Sequence, residues 1–226
     1  MGVWPRKRAS RQTPRLRSQP DLDKAIPAGF AAYKVGMTHV LATGFNKQQD
    51  NTRVRSQVPV TILETPPMRI ATVRAYVEDD GNLRPIKELA LPTTSQYSRH
   101  APSVSDENAA TADDIEDLDV DDIHSLRVQV YTQPHRIGLK DKPSVFELIL
   151  GGTTDNQKAF VKDHIDQPFS VNDVFDEGDR VNITGITQGK GLQGPVKRFG
   201  IGLKDHKSGS NRRQPGSLGP WNATQH

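Results

Sequence analysis

A mainly β fold with long basic extensions is the class this sequence predicts, and three observations carry it. Three β-rich runs fall within fifty residues near the start of the chain, each closed by a turn or proline signal. Only 34% of the 226 residues are hydrophobic, so one modest core must serve a chain with much of its length outside it. Two segments, at the beginning and from Gln188 onward, are rich in Lys and Arg and lack any apolar periodicity. Runs of this kind closing on one another predict an all-β barrel or sandwich.

Residues 1–25 form a basic N-terminal extension. Arg6, Lys7, Arg8, Arg11, Arg15 and Arg17 are spaced by prolines, and Val3, Trp4 and Leu16 are nearly the only apolar residues before Pro20. The composition fits a disordered solubilising arm as well as an arm that inserts into RNA. Pro5, Pro14 and Pro20 argue against the amphipathic helix of an organellar transit peptide.

Residues 26–78 read as the first part of the β core. Gly29 to Phe45 predicts two short strands around a bend at Gly36, Val58 to Glu64 a strand stopped by Thr65-Pro66-Pro67, and Ile70 to Val77 a strand that ends in the turn Asp79-Asp80-Gly81-Asn82. Residues 79–144 read as a polar insertion with a weak helical signal around Ile115 to Ile123. From Asp106 to Asp122 there are nine acids and no Lys or Arg, which predicts a solvated face; a hard-cation loop would need a defined oxygen spacing with a turn glycine. Without this block the net charge of +3 becomes +12, so the rest of the chain is strongly basic.

Residues 145–187 read as the second part of the core. Val145 to Leu150 predicts a strand closed by Gly151-Gly152, Asn156 to Ile165 a helix with Phe160, Val161 and Ile165 on one side, and Val181 to Thr187 a strand with Val181, Ile183 and Ile186 as its apolar set. Residues 188–226 then read as a basic arm. Lys190, Lys197, Arg198, Lys204, Lys207, Arg212 and Arg213 face a single acid, Asp205, among many glycines. Such a segment cannot fold by apolar burial and needs an outside scaffold. A lattice of phosphates supplies one, since each Lys or Arg releases counterions on contact.

Several chemistries find no support. Gly189, Gly191 and Gly194 match the glycine spacing of dinucleotide folds, but Pro195 follows, no helical pattern opens behind them and no acid stands near position 210 for a ribose. The chain has no cysteine, and His39, His100, His124, His135, His164, His206 and His226 lack metal-ligand spacing. No nucleophile elbow or paired carboxylates in an apolar setting can be read, so neither catalysis nor a cofactor, metal or small-molecule substrate is expected. No apolar run approaches a membrane span, and the lack of cysteine favours an intracellular setting.

Four motifs, in order, resemble one family. Gly29-Phe-Ala-Ala-Tyr-Lys-Val-Gly-Met-Thr-His-Val40, Val58-Pro-Val-Thr-Ile-Leu-Glu-Thr-Pro-Pro-Met-Arg69, Gly189-Lys-Gly-Leu-Gln-Gly-Pro-Val-Lys-Arg198 and Gly219-Pro-Trp-Asn222 are similar to the ribosomal protein L three family of the large subunit, in its archaeal and eukaryotic branch. The resemblance implies a six-stranded, translation-factor-like β-barrel with an α-containing acidic insertion, and basic extensions that thread into large-subunit ribosomal RNA. It implies a noncatalytic role in early subunit assembly, with neighbouring ribosomal proteins as further partners. It also implies a finger tip at Gly219, Pro220, Trp221 and Asn222 that reaches toward the peptidyl transferase centre. The sequence departs from the family at Gln188, where a basic residue is usual, and at Phe199, where Trp is common. Family members also continue past the tip, so the closing strands of the barrel are expected to be missing. Two other classes compete: a barrel-bearing translation factor or RNA-associated enzyme, which should show a phosphate loop or an acid-base pair, and a protein-interaction module whose acidic block binds a basic partner.

Overall fold

The computed structural model describes residues 8–14, 22–46, 52–100, 108–118 and 123–219. The chain divides into two compact units, Ser10–Thr184 and a second one made of Met1–Ala9 with Gly185–His226. The first unit is mainly β, with antiparallel sheets and few helices.

Strands β1 (Tyr33–Asn46) and β2 (Thr52–Glu64) form a two-stranded antiparallel ribbon. The two short strands expected around Gly36 are a single strand. Lys34 pairs with Leu63 and Gly36 with Ile62, so Val35 is accommodated as a bulge and the chain continues without a bend. Residues opposite one another share a face, which sorts the ribbon. One face carries Ile62 with Gly36, Val60 with Thr38, Val58 with Val40 and Ser56 with Ala42, an uncharged stretch that ends at Glu64. The other carries Met37, Leu41, His39 and Arg55. Both faces leave apolar side chains exposed, including Met37 at 67% and Leu41 at 68%.

A four-stranded antiparallel sheet holds the core. Its strands are β3 (Arg69–Asp79), β4 (Asn82–Ala90), β5 (Ser125–Tyr131) and β6 (Val145–Ile149), in the spatial order β4-β3-β5-β6. β3 and β6 match the sequence expectation. β4 and β5 correct it, because both come from the segment read as a polar insertion. In Ser-Leu-Arg-Val-Gln-Val-Tyr, Leu126, Val128 and Val130 alternate with polar residues and are fully buried, so β5 is a central strand. β4 contains Pro85, tolerated because this is an edge strand, and one extra residue, Ile86, between the pairs Ala75–Lys87 and Tyr76–Pro85.

Between Met68 and Val174 one apolar cluster unites Ile70, Val73 and Ala75 of β3, the buried residues of β5, and Leu148 and Leu150. Helices α2 (Ala112–Glu116) and α3 (Thr154–Asp163) add Ile115 and Val161 to it, Leu118 joins from just beyond α2, and Phe160 and Ile165 lie at the margin. The acidic block is therefore anchored, not free. Its described carboxylates, Asp113, Asp114, Glu116 and Asp117, are exposed as expected, while Ile115 and Leu118 between them are buried. The helix also starts earlier than the sequence signal, because Thr111 caps it: its backbone N–H and hydroxyl both donate to Asp114 Oδ2, at 2.7 and 2.8 Å. These bonds hold the Asp114 carboxyl below its ordinary pKa, the backbone donor contributing most. Lys162 of α3 pairs with Glu116.

One polar side chain is built into this core. Gln157 of α3 is buried, accepts from Leu126 N–H at 2.9 Å, and donates to the carbonyls of Leu150 and Gly152 at 2.9 and 3.0 Å. It thereby satisfies backbone groups at the beginning of β5 and beyond the end of β6. Opposite the core, the sheet is polar. Arg74 binds Glu88 at 3.0 Å and Glu147 at 3.3 Å, Arg127 binds Glu147 at 3.4 Å, and the Tyr76 hydroxyl donates to Glu147 at 2.8 Å. The far end of that face is covered by Tyr97 of α1 (Ser95–Ser98), whose ring lies 4.5 Å from that of Tyr131.

Residues 22–28 run beside β6. Ala28 N–H donates to Ile149 O, Gly151 N–H to Ile26 O and Gly152 N–H to Leu22 O, at 2.9, 3.0 and 2.7 Å. Gly151 permits this approach: a Cβ there would lie 2.4 Å from Leu22 Cβ and 2.5 Å from Lys24 O. Val181 to Thr187, expected as a strand, pairs with no described strand, and Ile183 is 74% exposed. Alternation supplies a face but not the neighbour that a ladder requires.

Candidate nucleic-acid interface

Between Gly185 and Gly219 the chain is shaped by turns and caps. Helix α4 (Pro195–Phe199) opens on Gly194 with Pro195 in its first turn and closes on Gly200, which adopts the left-handed conformation (φ 63°, ψ 29°) and donates its N–H to Val196 O at 3.1 Å. A helix does open behind the glycines, contrary to expectation, because Gly-Pro at its start and Gly at its end define one turn without apolar periodicity. The dinucleotide reading gains nothing from it. That motif requires a preceding strand of a parallel sheet, and the described sheets are antiparallel.

Beyond α4, Lys204 N–H donates to Arg212 O at 3.2 Å and closes a loop. Within it, a 3-10 turn over His206–Asn211 is broken at Gly209 (φ 57°, ψ −135°), and Ser208 N–H donates to Asp205 O at 3.0 Å. The closure brings the main chains of Lys204 and Arg212 together, with Lys207 and Arg213 on the same short loop. Lys197 and Arg198 sit in the last turn of α4, where cations suit the helix dipole.

The basic residues are presented outward. Lys190, Lys197, Arg198, Lys207, Arg212 and Arg213 are exposed and Lys204 is partly covered. None of Lys190, Lys197, Lys204, Lys207, Arg212 and Arg213 forms an ion pair with another described residue. The apolar side chains of the segment do not gather into a core either: Leu192 is 80% exposed, Phe199 69%, and Leu203 and Leu218 are exposed as well. The Arg198 guanidinium lies 4.8 Å from the centroid of the Phe199 ring. The sequence reading treats Phe199 only as a substitution; the signal available was an aromatic directly after two cations.

Of the N-terminal cations, Arg8 and Arg11 are exposed, whereas Arg6, Lys7, Arg15 and Arg17 lie outside the described residues. Pro220, Trp221 and Asn222 of the expected tip also lie outside them. Gly219 is described, with φ 141° and its carbonyl accepting from Ser217 Oγ at 3.1 Å. Charge follows the division of the chain. Residues 1–9 and 185–226 hold ten Lys and Arg and one acid, a net +9; since the whole chain is at +3, residues 10–184 are at −6. Among the described residues no group of three or more His, Asp and Glu is placed to hold a metal ion, and no helix is long and apolar enough to cross a membrane.

Comparison with known proteins identifies the lineage. The family described as Ribosomal protein L3 matches residues 1–225. The large ribosomal subunit protein uL3 of Nanoarchaeum equitans is 36% identical over 221 residues, covering 97% of this chain and 67% of that protein. The uL3 of Halobacterium salinarum is 39% identical over 233 residues, covering 100% and 70%. The uL3 of Methanopyrus kandleri is 38% identical over 224 residues, covering 96% and 62%. The chain thus spans about two thirds of the length of these relatives. Matched from end to end by the family and at this identity by its archaeal members, the chain belongs to the ribosomal protein L3 family.

Proposed function

We propose that the chain is a structural, noncatalytic constituent of the large ribosomal subunit in the cytoplasm, binding large-subunit ribosomal RNA through its basic extensions and supporting early subunit assembly. One observation carries this within the family: the segment from Gln188 to Gly219 displays its cations on capped turns with no core beneath them. Phosphates are the ligand that such a surface lacks. The RNA-contacting set is Arg6, Lys7, Arg8, Arg11, Arg15 and Arg17 of the extension 1–25, with Lys190, Lys197, Arg198, Lys204, Lys207, Arg212 and Arg213 of the finger 188–226. The tip at Gly219, Pro220, Trp221 and Asn222 is directed toward the peptidyl transferase centre, and neighbouring ribosomal proteins complete the surroundings.

The barrel belongs to the same proposal, its strands drawn from 26–78 and 145–187 together with β4 and β5 between them. The uncharged stretch of the β1–β2 ribbon, and separately Val181 and Ile183, leave apolar side chains exposed. A six-stranded translation-factor-like barrel would bury them together. The test is sedimentation of tagged protein from an archaeal cell extract. It should peak with the large subunit, and Arg212→Ala and Lys197→Ala should lower that fraction. Folded protein confined to the light fractions would refute the assignment.

A further inference from the structure

We propose that Phe199 is a stacking platform for an unpaired base of large-subunit ribosomal RNA, an inference that rests on the RNA-binding reading of the finger. The ring stands at the end of α4 and is 69% exposed. Single exposed apolar residues are ordinary, but this one is held in place and electrostatically prepared. Gly200 caps the helix directly behind it, so the backbone carrying the ring is fixed by the Gly200 N–H to Val196 O bond and not by packing. The Arg198 guanidinium, 4.8 Å from the ring centroid, sets a delocalised cation beside the π system, and Lys197 adds a second charge one residue earlier.

A nucleotide matches all three groups at once: its base offers a flat π face to the ring, and its phosphate offers a negative charge to Lys197 and Arg198. This pairing of stacking aromatics with a cationic track is how single-stranded nucleic acid is held without sequence readout. An apolar protein surface would satisfy the ring but offer no charge to Lys197, which forms no ion pair with another described residue. Intramolecular burial fails as well, since Leu192, Leu203 and Leu218 of the same unit are themselves exposed.

The experiment measures binding of the full chain to a transcript of archaeal large-subunit RNA across a range of salt concentrations, with Lys197→Ala as the reference variant. Stacking on a base corresponds to a loss of roughly 5- to 150-fold on removal of the ring. Phe199→Ala and Phe199→Leu should both show that loss with an unchanged slope of log affinity against log salt, because a stack releases no counterion. Phe199→Trp should bind at least as well as the parent chain, which also shows that the helix tolerates substitution. Full affinity in Phe199→Leu would make the ring a mere apolar anchor and overturn the proposal. So would an unchanged Phe199→Ala when Lys197→Ala lowers both affinity and salt slope, an outcome that leaves RNA binding by the finger intact. If neither variant alters affinity, the RNA-binding reading falls, and the stack with it.

Discussion

Glu147 is the residue on which the outer face of the sheet converges, receiving Arg74, Arg127 and the Tyr76 hydroxyl. Two guanidinium groups keep it supplied with donors, and Arg127 also stacks 4.3 Å from the Tyr76 ring centroid. Partial burial, and then the bond to Glu147, raise the Tyr76 pKa above its ordinary value of 10.0. The sign follows from which form the fold prefers. A group whose pKa is raised on folding contributes stability that is complete below the unfolded value and is lost as pH climbs through the folded one. The difference in melting temperature between the parent chain and Tyr76→Phe should therefore be constant below about pH 10 and change only above it, where the parent loses stability more steeply. Parallel melting curves through that range would show that the hydroxyl is not coupled to the fold. Nothing in the sequence flags this network, because its members lie on three strands and meet only through register.

At the scale of elements, Leu22 to Ala28 beside β6 is held by main-chain bonds that depend on a missing side chain. Gly151→Ala would force a Cβ to within 2.4 Å of Leu22 Cβ, and backbone rather than a flexible chain end must move. The expected result is a loss of about 1–3 kcal/mol in denaturant unfolding. Faster amide exchange at Ala28 and Gly152 should accompany it; unchanged exchange would refute the close approach as the cause. Gly151-Gly152 reads in sequence only as a strand terminator, and its second role needed the partner segment to be seen. Local signals suffice for three elements. β3 and β6 have continuous β-branched and aromatic runs with clear stops, and α3 has its apolar side at helical spacing. β5 was missed although its alternation is regular, because the acids before it dominate the composition. Val181 to Thr187 fails the other way, having the pattern but no described neighbour. In the finger, the exposure of the cations followed from the absence of apolar periodicity, whereas α4 did not, since caps alone make it.

For the whole molecule, the thirteen cations from Arg6 to Arg17 and from Lys190 to Arg213 set the expected ion dependence. If six of them meet phosphates, log affinity for large-subunit RNA should fall against log salt with a slope of about −4 to −5, since each neutralised phosphate contributes about 0.7 to 0.9. A flat dependence across the same titration would mean that contacts other than phosphates dominate. The partition of charge, +9 on the segments 1–9 and 185–226 and −6 on residues 10–184, reaches beyond equilibrium. A polyanion attracts one portion of the chain and repels the other, so collisions are sorted during diffusion, before any side chain has touched a base. Phosphates draw in the cations of the two extensions and hold off the nine acids between Asp106 and Asp122. The molecule thereby carries the order of its own docking, first capture and then seating, in where its acids lie as much as in where its arginines do.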